Sequence, residues 1–206
     1  MNRILPLIIV ALALLAFATL FLVAGPAAQI RTIEPPEGLE PYSEAEQRGR
    51  EVYVSMGCVY CHTQQPRSSE QAPDATRGWG RASTAADYVY DEPHLLGTMR
   101  TGPDLLNVGA RLPSRQWHLT HLYQPRAVTP TSIMPSFPFL LEAKEKAGSD
   151  DVVVKLPEQY RPEGKVIVAK QAALDLTDYL LSLDRTYPVE HDHLRDNGFR
   201  AEKEDS

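Results

Sequence analysis

Cysteine is scarce in this chain, since its 206 residues include only Cys58 and Cys61. A single disulfide closing so short a loop would stabilise little, which excludes a disulfide scaffold. Positive charge is also in deficit, because 21 Lys and Arg face 27 Asp and Glu, a formal net charge of −6. Nucleic-acid binding depends on neutralising phosphates with Lys and Arg, so we expect no nucleic-acid partner. The length suits one packed domain with additions.

Long apolar runs are lacking except at the start of the chain. Residues 4–24 carry no charge, and about 20 such residues in a helix span the roughly 30 Å hydrocarbon core of a lipid bilayer. Gly25 and Pro26 are expected to end this helix. A cleaved signal peptide is the alternative, but its apolar part is typically shorter. We therefore predict an uncleaved membrane anchor over residues 1–28.

Regular periodicity is lacking in the middle of the chain. Residues 63–98 show no sustained helical or strand period, which predicts a long loop-rich insertion with one short helix near residues 83–89. On either side, a capping box of Ser43 and Glu46 predicts a helix that stops at Gly57. Two more helices, from Ser114 to Pro125 and over residues 169–183, and two short strands, at 152–156 and 165–168, complete the prediction.

These elements predict a mainly α fold with four segments. The anchor is followed by a proline-containing linker over residues 29–42 and by one domain over residues 43–185. The charged tail over residues 186–206 is expected to fray.

Both cysteines belong to the motif Cys58-Val59-Tyr60-Cys61-His62. This spacing is typical of a covalently attached c-type haem, because two thiols a short turn apart can reach both vinyl groups of one porphyrin. The imidazole of His62 then falls where it can bind the iron. A thioredoxin-like redox pair is disfavoured because no strand–helix alternation surrounds the motif. Zinc held with His118 and His121 stays an alternative, although their spacing is short for a zinc pair.

A haem that only transfers electrons normally has a second protein ligand, often Met. Met56 is too close to the motif to reach the opposite face of the ring. Met134 lies in a proline-braced segment, Ser132-Ile133-Met134-Pro135, whose rigidity suits a ligand, and Met99 is the runner-up. Haem attachment of this type takes place outside the cytoplasm, so the domain is expected beyond the membrane. Arg3 before the anchor weakly agrees with a cytoplasmic N-terminus.

The anchor, capped helix, haem motif, Met-Pro segment and last helix together resemble a class I cytochrome c. More narrowly, the chain resembles the monohaem subunit II of cbb3-type cytochrome c oxidases. The runs that carry this resemblance are Arg100–Leu105, Gly109–Arg111, Trp117-His118, His121-Leu122, Pro125–Val128 and Ser132–Pro135.

The resemblance implies an electron-transfer subunit that is not an enzyme on its own. It would receive electrons from another c-type cytochrome and pass them to the haem b of a membrane-embedded haem–copper catalytic subunit, where oxygen is reduced. Carried over by position, Cys58 and Cys61 attach the one haem c, while His62 and Met134 bind the iron. The Pro103 carbonyl would accept a hydrogen bond from the His62 imidazole. The implied location is the inner (cytoplasmic) membrane, single-pass, with the haem domain on the periplasmic side.

Several further side chains are candidates for secondary roles. Arg100, Arg126 and Arg111 lie beside the motif runs and could pair with haem propionates; of these, Arg100 and Arg126 are preferred. His118 and His121 are expected to be structural or interfacial. Solvated side chains are expected for His191 and His193, and core packing for Trp79 and Trp117.

Three alternatives to the oxidase subunit stay open. The chain could serve a nitric oxide reductase-like complex, act as a free-standing membrane cytochrome that shuttles electrons, or form a zinc-binding interaction module.

Overall fold

The structure is a computed structural model that describes residues 4–189. It begins with a continuous apolar helix over Ile4–Ile30, long and apolar enough to cross a membrane. This helix comprises α1 (Ile4–Ala18), a π-helical stretch (Thr19–Ala24) and α2 (Gly25–Ile30). The expected end at Gly25 and Pro26 is therefore wrong. Pro26 lacks an N–H, and the preceding π-helical stretch accommodates it without ending the helix.

The domain is built around two crossing helices, α3 (Glu44–Ser55) and α6 (Gln171–Ser182). Their backbones meet at Gly49, where an added Cβ would lie 1.9 Å from the Asp175 carbonyl oxygen. Beside this crossing, the rings of Tyr53 and Tyr179 pack edge to face with centroids 5.6 Å apart. Both tyrosines are buried, so the crossing forms the centre of the core.

Helix α3 starts and stops where its sequence predicts. The Ser43 side chain and the Glu46 carboxylate form the capping box at its beginning. Gly57 follows its last turn with a φ of 74°, a left-handed conformation that glycine adopts without strain. The haem motif therefore begins directly at a sharp change of chain direction.

Two shorter helices follow the insertion, α4 (Val108–Arg111) and α5 (Arg115–Tyr123). The Ser114 side chain accepts from the Trp117 N–H and caps α5, as the sequence predicts. The insertion itself is irregular, with a short 3₁₀ helix at Ala85–Tyr88 within the predicted range. Hydrogen bonds to buried carboxylates connect it to the rest of the domain, among them those of Asp74, Asp87 and Asp104.

The sheet differs from the prediction. It pairs β1 (Leu141–Lys144) antiparallel with β2 (Val166–Ala169), with Leu141 opposite Ala169. Residues 152–156 form no regular strand and contribute only the isolated bridge of Val153 to Val168. The mainly helical class nevertheless holds, because the described part of the chain contains this small sheet alone.

The beginning of the C-terminal tail is also ordered, contrary to the expected fraying from residue 186. The Tyr187 hydroxyl donates to the Asp87 carboxylate at 2.8 Å, and its side chain packs beside Gly38. His191 and His193 lie outside the described residues.

Candidate functional site

A cavity of about 450 Å³ opens between the motif segment, α5 and the segment that carries Met134. Its size falls in the range of small-molecule and cofactor sites. Cys58, Cys61, His62, Pro103 and Met134 all line it. Five of the seven site residues expected from the sequence are thus brought together by elements distant in the chain.

The motif is held in a tight turn immediately after α3. Cys58–Tyr60 form a 3₁₀ turn, and the Cys58 carbonyl accepts from the N–H groups of Cys61 and His62 at 3.1 and 3.0 Å. Both thiols are free, and Cys61 is exposed. Burial raises the pKa of the Cys58 thiol to about 11, so it is protonated at neutral pH.

The imidazole of His62 is oriented by its neighbours. Its Nδ1 lies 2.7 Å from the Pro103 carbonyl oxygen, which accepts the ring N–H. Burial lowers the pKa of His62, and the Pro103 carbonyl only partly opposes this effect, so the ring is neutral at pH 7. Gly102 packs against the ring, where an added Cβ would come within 2.3 Å of Cε1. Nε2 is thereby left available, in the neutral form that binds metals.

Met134 lies on an irregular segment over residues 127–138, the methionine strap. Its N–H donates to the Ser132 hydroxyl, and its Sδ lies 3.1 Å from Nε2 of His121. Met99, the runner-up ligand, is 56% exposed and is not among the described residues that line the cavity. The geometry therefore favours Met134 of the two.

The arginines are placed differently from the expectation. Arg100 donates to the Asp74 carboxylate at 2.6 Å and to the Gln65 carbonyl at 2.7 Å, and it lies over the ring of the buried Trp79. Neither Arg100 nor Arg126 is among the described cavity-lining residues, whereas Arg111 is.

Arg111 carries unused hydrogen-bonding capacity at the cavity. One of its terminal nitrogens donates to the Asp104 carbonyl at 2.9 Å. Its buried Nε has no hydrogen-bond partner among residues 4–189. Burial lowers the pKa of Arg111 without removing its charge at neutral pH. A half-buried cation whose buried Nε has a free N–H suits an anionic group entering the cavity.

Helix α5 contributes two histidines to the same wall. His118 Nε2 lies 2.9 Å from the Leu112 carbonyl oxygen, which fits the expected structural role. The ring of His121 stacks on Trp117, with centroids 4.7 Å apart and planes 10° apart. Burial, followed by the nearby His118 and His62, lowers the pKa of His121 to about 4. Sequence reasoning did not connect His121 with Met134, although the i, i+4 spacing of Trp117 and His121 places both on one helix face.

The lining fits one haem. Most of it is aliphatic, aromatic or small, which suits a flat apolar macrocycle, and Arg111 supplies an unsatisfied donor for its carboxylates. Zinc has no comparable site, because within residues 4–189 no group of three or more His, Cys, Asp or Glu could hold a metal ion.

The fold and the site fit one class of protein, a small, mainly helical monohaem cytochrome that follows one helix long enough to cross a membrane. The family follows from comparison with known families. Residues 2–162 match the family model described as Cytochrome C oxidase, mono-heme subunit/FixO, and the chain belongs to that family. No curated protein matches the chain significantly.

Family membership makes the chain the monohaem subunit of an oxidase-type complex. It also agrees with the apolar N-terminal helix, which fits a membrane anchor.

Proposed function

We propose that this chain is the electron-transfer subunit of a membrane haem–copper oxidase. It takes electrons from another c-type cytochrome and delivers them to the haem b of the catalytic subunit, which reduces oxygen. The observation that carries the proposal is the convergence of both motif thiols, His62 and Met134 on one cavity. The family description names a cytochrome c oxidase, which supports oxygen over nitric oxide as the final acceptor.

The chain's own residues would hold the cofactor covalently. The thiols of Cys58 and Cys61 would each add across one vinyl group of the haem, with a carbon–sulfur bond formed and the thiol proton transferred to the neighbouring vinyl carbon. No oxidant or reductant is consumed, which fits two thiols that are free and not joined in a disulfide. The bound haem supplies a one-electron redox couple.

His62 and Met134 would hold the iron of the haem. The Pro103 carbonyl orients the His62 ring and accepts its Nδ1–H, so the lone pair of Nε2 would be available to bind the iron. A thioether ligand raises the reduction potential of a haem relative to harder ligands. Arg111 replaces Arg100 and Arg126 as the preferred partner of a propionate, because it lines the cavity with an unsatisfied Nε.

The N-terminal helix would keep the domain at the inner (cytoplasmic) membrane. Covalent haem attachment occurs on the outer side, so we propose that everything after the helix lies in the periplasm. In the periplasm the domain can contact both a c-type cytochrome donor and the outer face of the catalytic subunit.

Purification in a mild detergent tests the assignment to a complex. We expect the chain to copurify with a haem–copper catalytic subunit and with oxygen uptake that depends on added reduced cytochrome c. Isolation as a monomer without a partner would instead support the free-standing shuttle. Nitric oxide turnover without oxygen uptake would support the reductase-like alternative.

Two sets of variants test the ligands independently of the complex. Cys58→Ser with Cys61→Ser should abolish covalent haem staining on a denaturing gel. Met134→Ala should keep the staining, lower the midpoint potential and give a high-spin or water-ligated iron, because the sulfur is lost. Retained staining in the serine double variant, or an unchanged spectrum in Met134→Ala, would contradict the corresponding assignment.

A further inference from the structure

The side chain of His121 touches the sulfur of Met134. Its Nε2 lies 3.1 Å from Sδ, and both side chains line the cavity. A thioether sulfur has lone pairs but no proton, so it can only accept. The contact is therefore attractive when the proton is on Nε2, whereas a proton on Nδ1 would bring lone pairs of nitrogen and sulfur face to face.

The ring of His121 is held in this orientation. It stacks almost parallel on Trp117, one helical turn earlier, with planes 10° apart. Its Nδ1 is buried and has no hydrogen-bond partner within residues 4–189, so no other group there competes for the ring. His118, its neighbour on α5, is engaged elsewhere by the Leu112 carbonyl.

We propose that His121 is a positioning residue for the methionine ligand, donating its Nε2–H to the Met134 sulfur. This inference rests on the proposed function, in which Met134 binds iron. A thioether has two lone pairs, so one can bind the metal while the other accepts the hydrogen bond.

Two consequences follow from such a donor. The hydrogen bond restrains a flexible side chain on an irregular strap, which favours the ligated conformation over competing ligands. It also withdraws electron density from the sulfur and places a partial positive charge near the iron. The withdrawal of electron density and the partial positive charge both disfavour the oxidised iron, so the donor raises the midpoint potential.

The test compares His121→Leu, which removes the donor, with His121→Gln, which keeps an amide N–H of similar reach. Both are made in the full-length protein purified in detergent. We expect His121→Leu to lower the midpoint potential and to raise the affinity for added imidazole roughly tenfold, as expected for loss of about one net hydrogen bond. His121→Gln should restore both quantities most of the way to wild type.

Unchanged potential and imidazole affinity in His121→Leu would overturn the proposal. Equal behaviour of the Leu and Gln variants would overturn it as well, since packing alone would then explain the effect. Should either variant fail to fold, nitrogen NMR of histidine-labelled wild-type protein decides: a proton on Nε2 of His121 supports the proposal, and a proton on Nδ1 refutes it.

The absorption spectrum of the wild type tests the ligand role of Met134 separately from the positioning role of His121. A far-red sulfur-to-iron charge-transfer band in the wild type establishes methionine ligation whatever the His121 variants show. Absence of the band would remove Met134 as a ligand, and the positioning role of His121 would then be excluded as well.

Discussion

Gly102 controls how closely the chain approaches His62. A Cβ at this position would lie 2.3 Å from Cε1, 2.7 Å from Nδ1 and 2.8 Å from Nε2 of the ring. Since the ring is tied to the Pro103 carbonyl, it cannot move away freely. Gly102→Ala should therefore lower the free energy of unfolding by about 1–3 kcal/mol, the usual cost of overpacking. Denaturant unfolding and the yield of haem-stained protein measure the effect.

Gly148→Ala is the matched control. Gly148 is exposed, and an added Cβ there would come no closer than 3.4 Å to the Asp151 carboxylate. We expect a change within about 0.5 kcal/mol. Equal free energies of unfolding for the two variants would show that the close packing of Gly102 against His62 does not contribute to stability.

At the scale of residues, prediction from sequence is most direct where chemistry fixes the spacing. Cys58, Cys61 and His62 are predicted as a set because attachment to one porphyrin would dictate their separation. The preference for Arg100 could not take Asp74 into account, because this partner of Arg100 lies 26 positions earlier in an aperiodic segment. Nothing in the local sequence distinguishes Arg100 from Arg111, which instead turns toward the cavity from α4.

At the scale of elements, the insertion lacks a periodic apolar face, and hydrogen bonds to buried carboxylates hold it in place. Asp87 is 1% exposed and accepts from both terminal nitrogens of Arg81 at 2.7 and 2.9 Å. It also accepts from the Thr84 N–H and the Tyr187 hydroxyl. One side chain thus joins the insertion to the beginning of the C-terminal tail.

The pKa of Asp87 makes this junction sensitive to acid. Burial by itself raises the pKa, but the hydrogen bonds from Arg81, Thr84 and Tyr187 outweigh it, so the pKa lies below the ordinary value. A depressed pKa contributes stability above the unfolded value of about 3.9, and this contribution is lost as the pH falls through the folded value.

Asp87→Asn should consequently destabilise the protein by about 2–3 kcal/mol at pH 7, because it leaves Arg81 partly buried without its charge partner. The difference from wild type should narrow below about pH 4, where the carboxylate of the unfolded wild-type chain takes up a proton, and should narrow further as the pH falls through the lower pKa of the folded state. Urea unfolding between pH 3 and 7 measures this, with the exposed Asp150→Asn as control. A difference that stays constant with pH would exclude the charge as the cause.

Secondary structure is hard to predict from sequence where pairing with a neighbouring strand overrides the intrinsic preference of the residues. Strand β1 has the sequence Leu-Glu-Ala-Lys, which favours helix, and it is extended because β2 lies beside it. The N-terminal helix was expected to end at Pro26, yet it continues to Ile30 after a π-helical stretch. By contrast, α3 and α5 begin at side-chain caps that the sequence displays directly.

For the whole molecule, the fate of the N-terminal helix distinguishes a retained anchor from a removed signal. The helix runs without interruption from Ile4 to Ile30, and none of its most apolar window is buried in the protein. An apolar surface of this length has no stable place in water, so a retained helix must lie in lipid or against a partner.

The intact mass of the haem-stained chain measures the outcome. We predict a polypeptide that still contains residues 4–24, carries one haem and needs detergent to stay in solution. The prediction rests on length, because the uncharged apolar run covers residues 4–24, whereas the apolar part of a signal peptide has about 7–15 residues. An N-terminus near residue 25 would instead identify a signal peptide. The domain would then be held at the membrane only by its partner subunits.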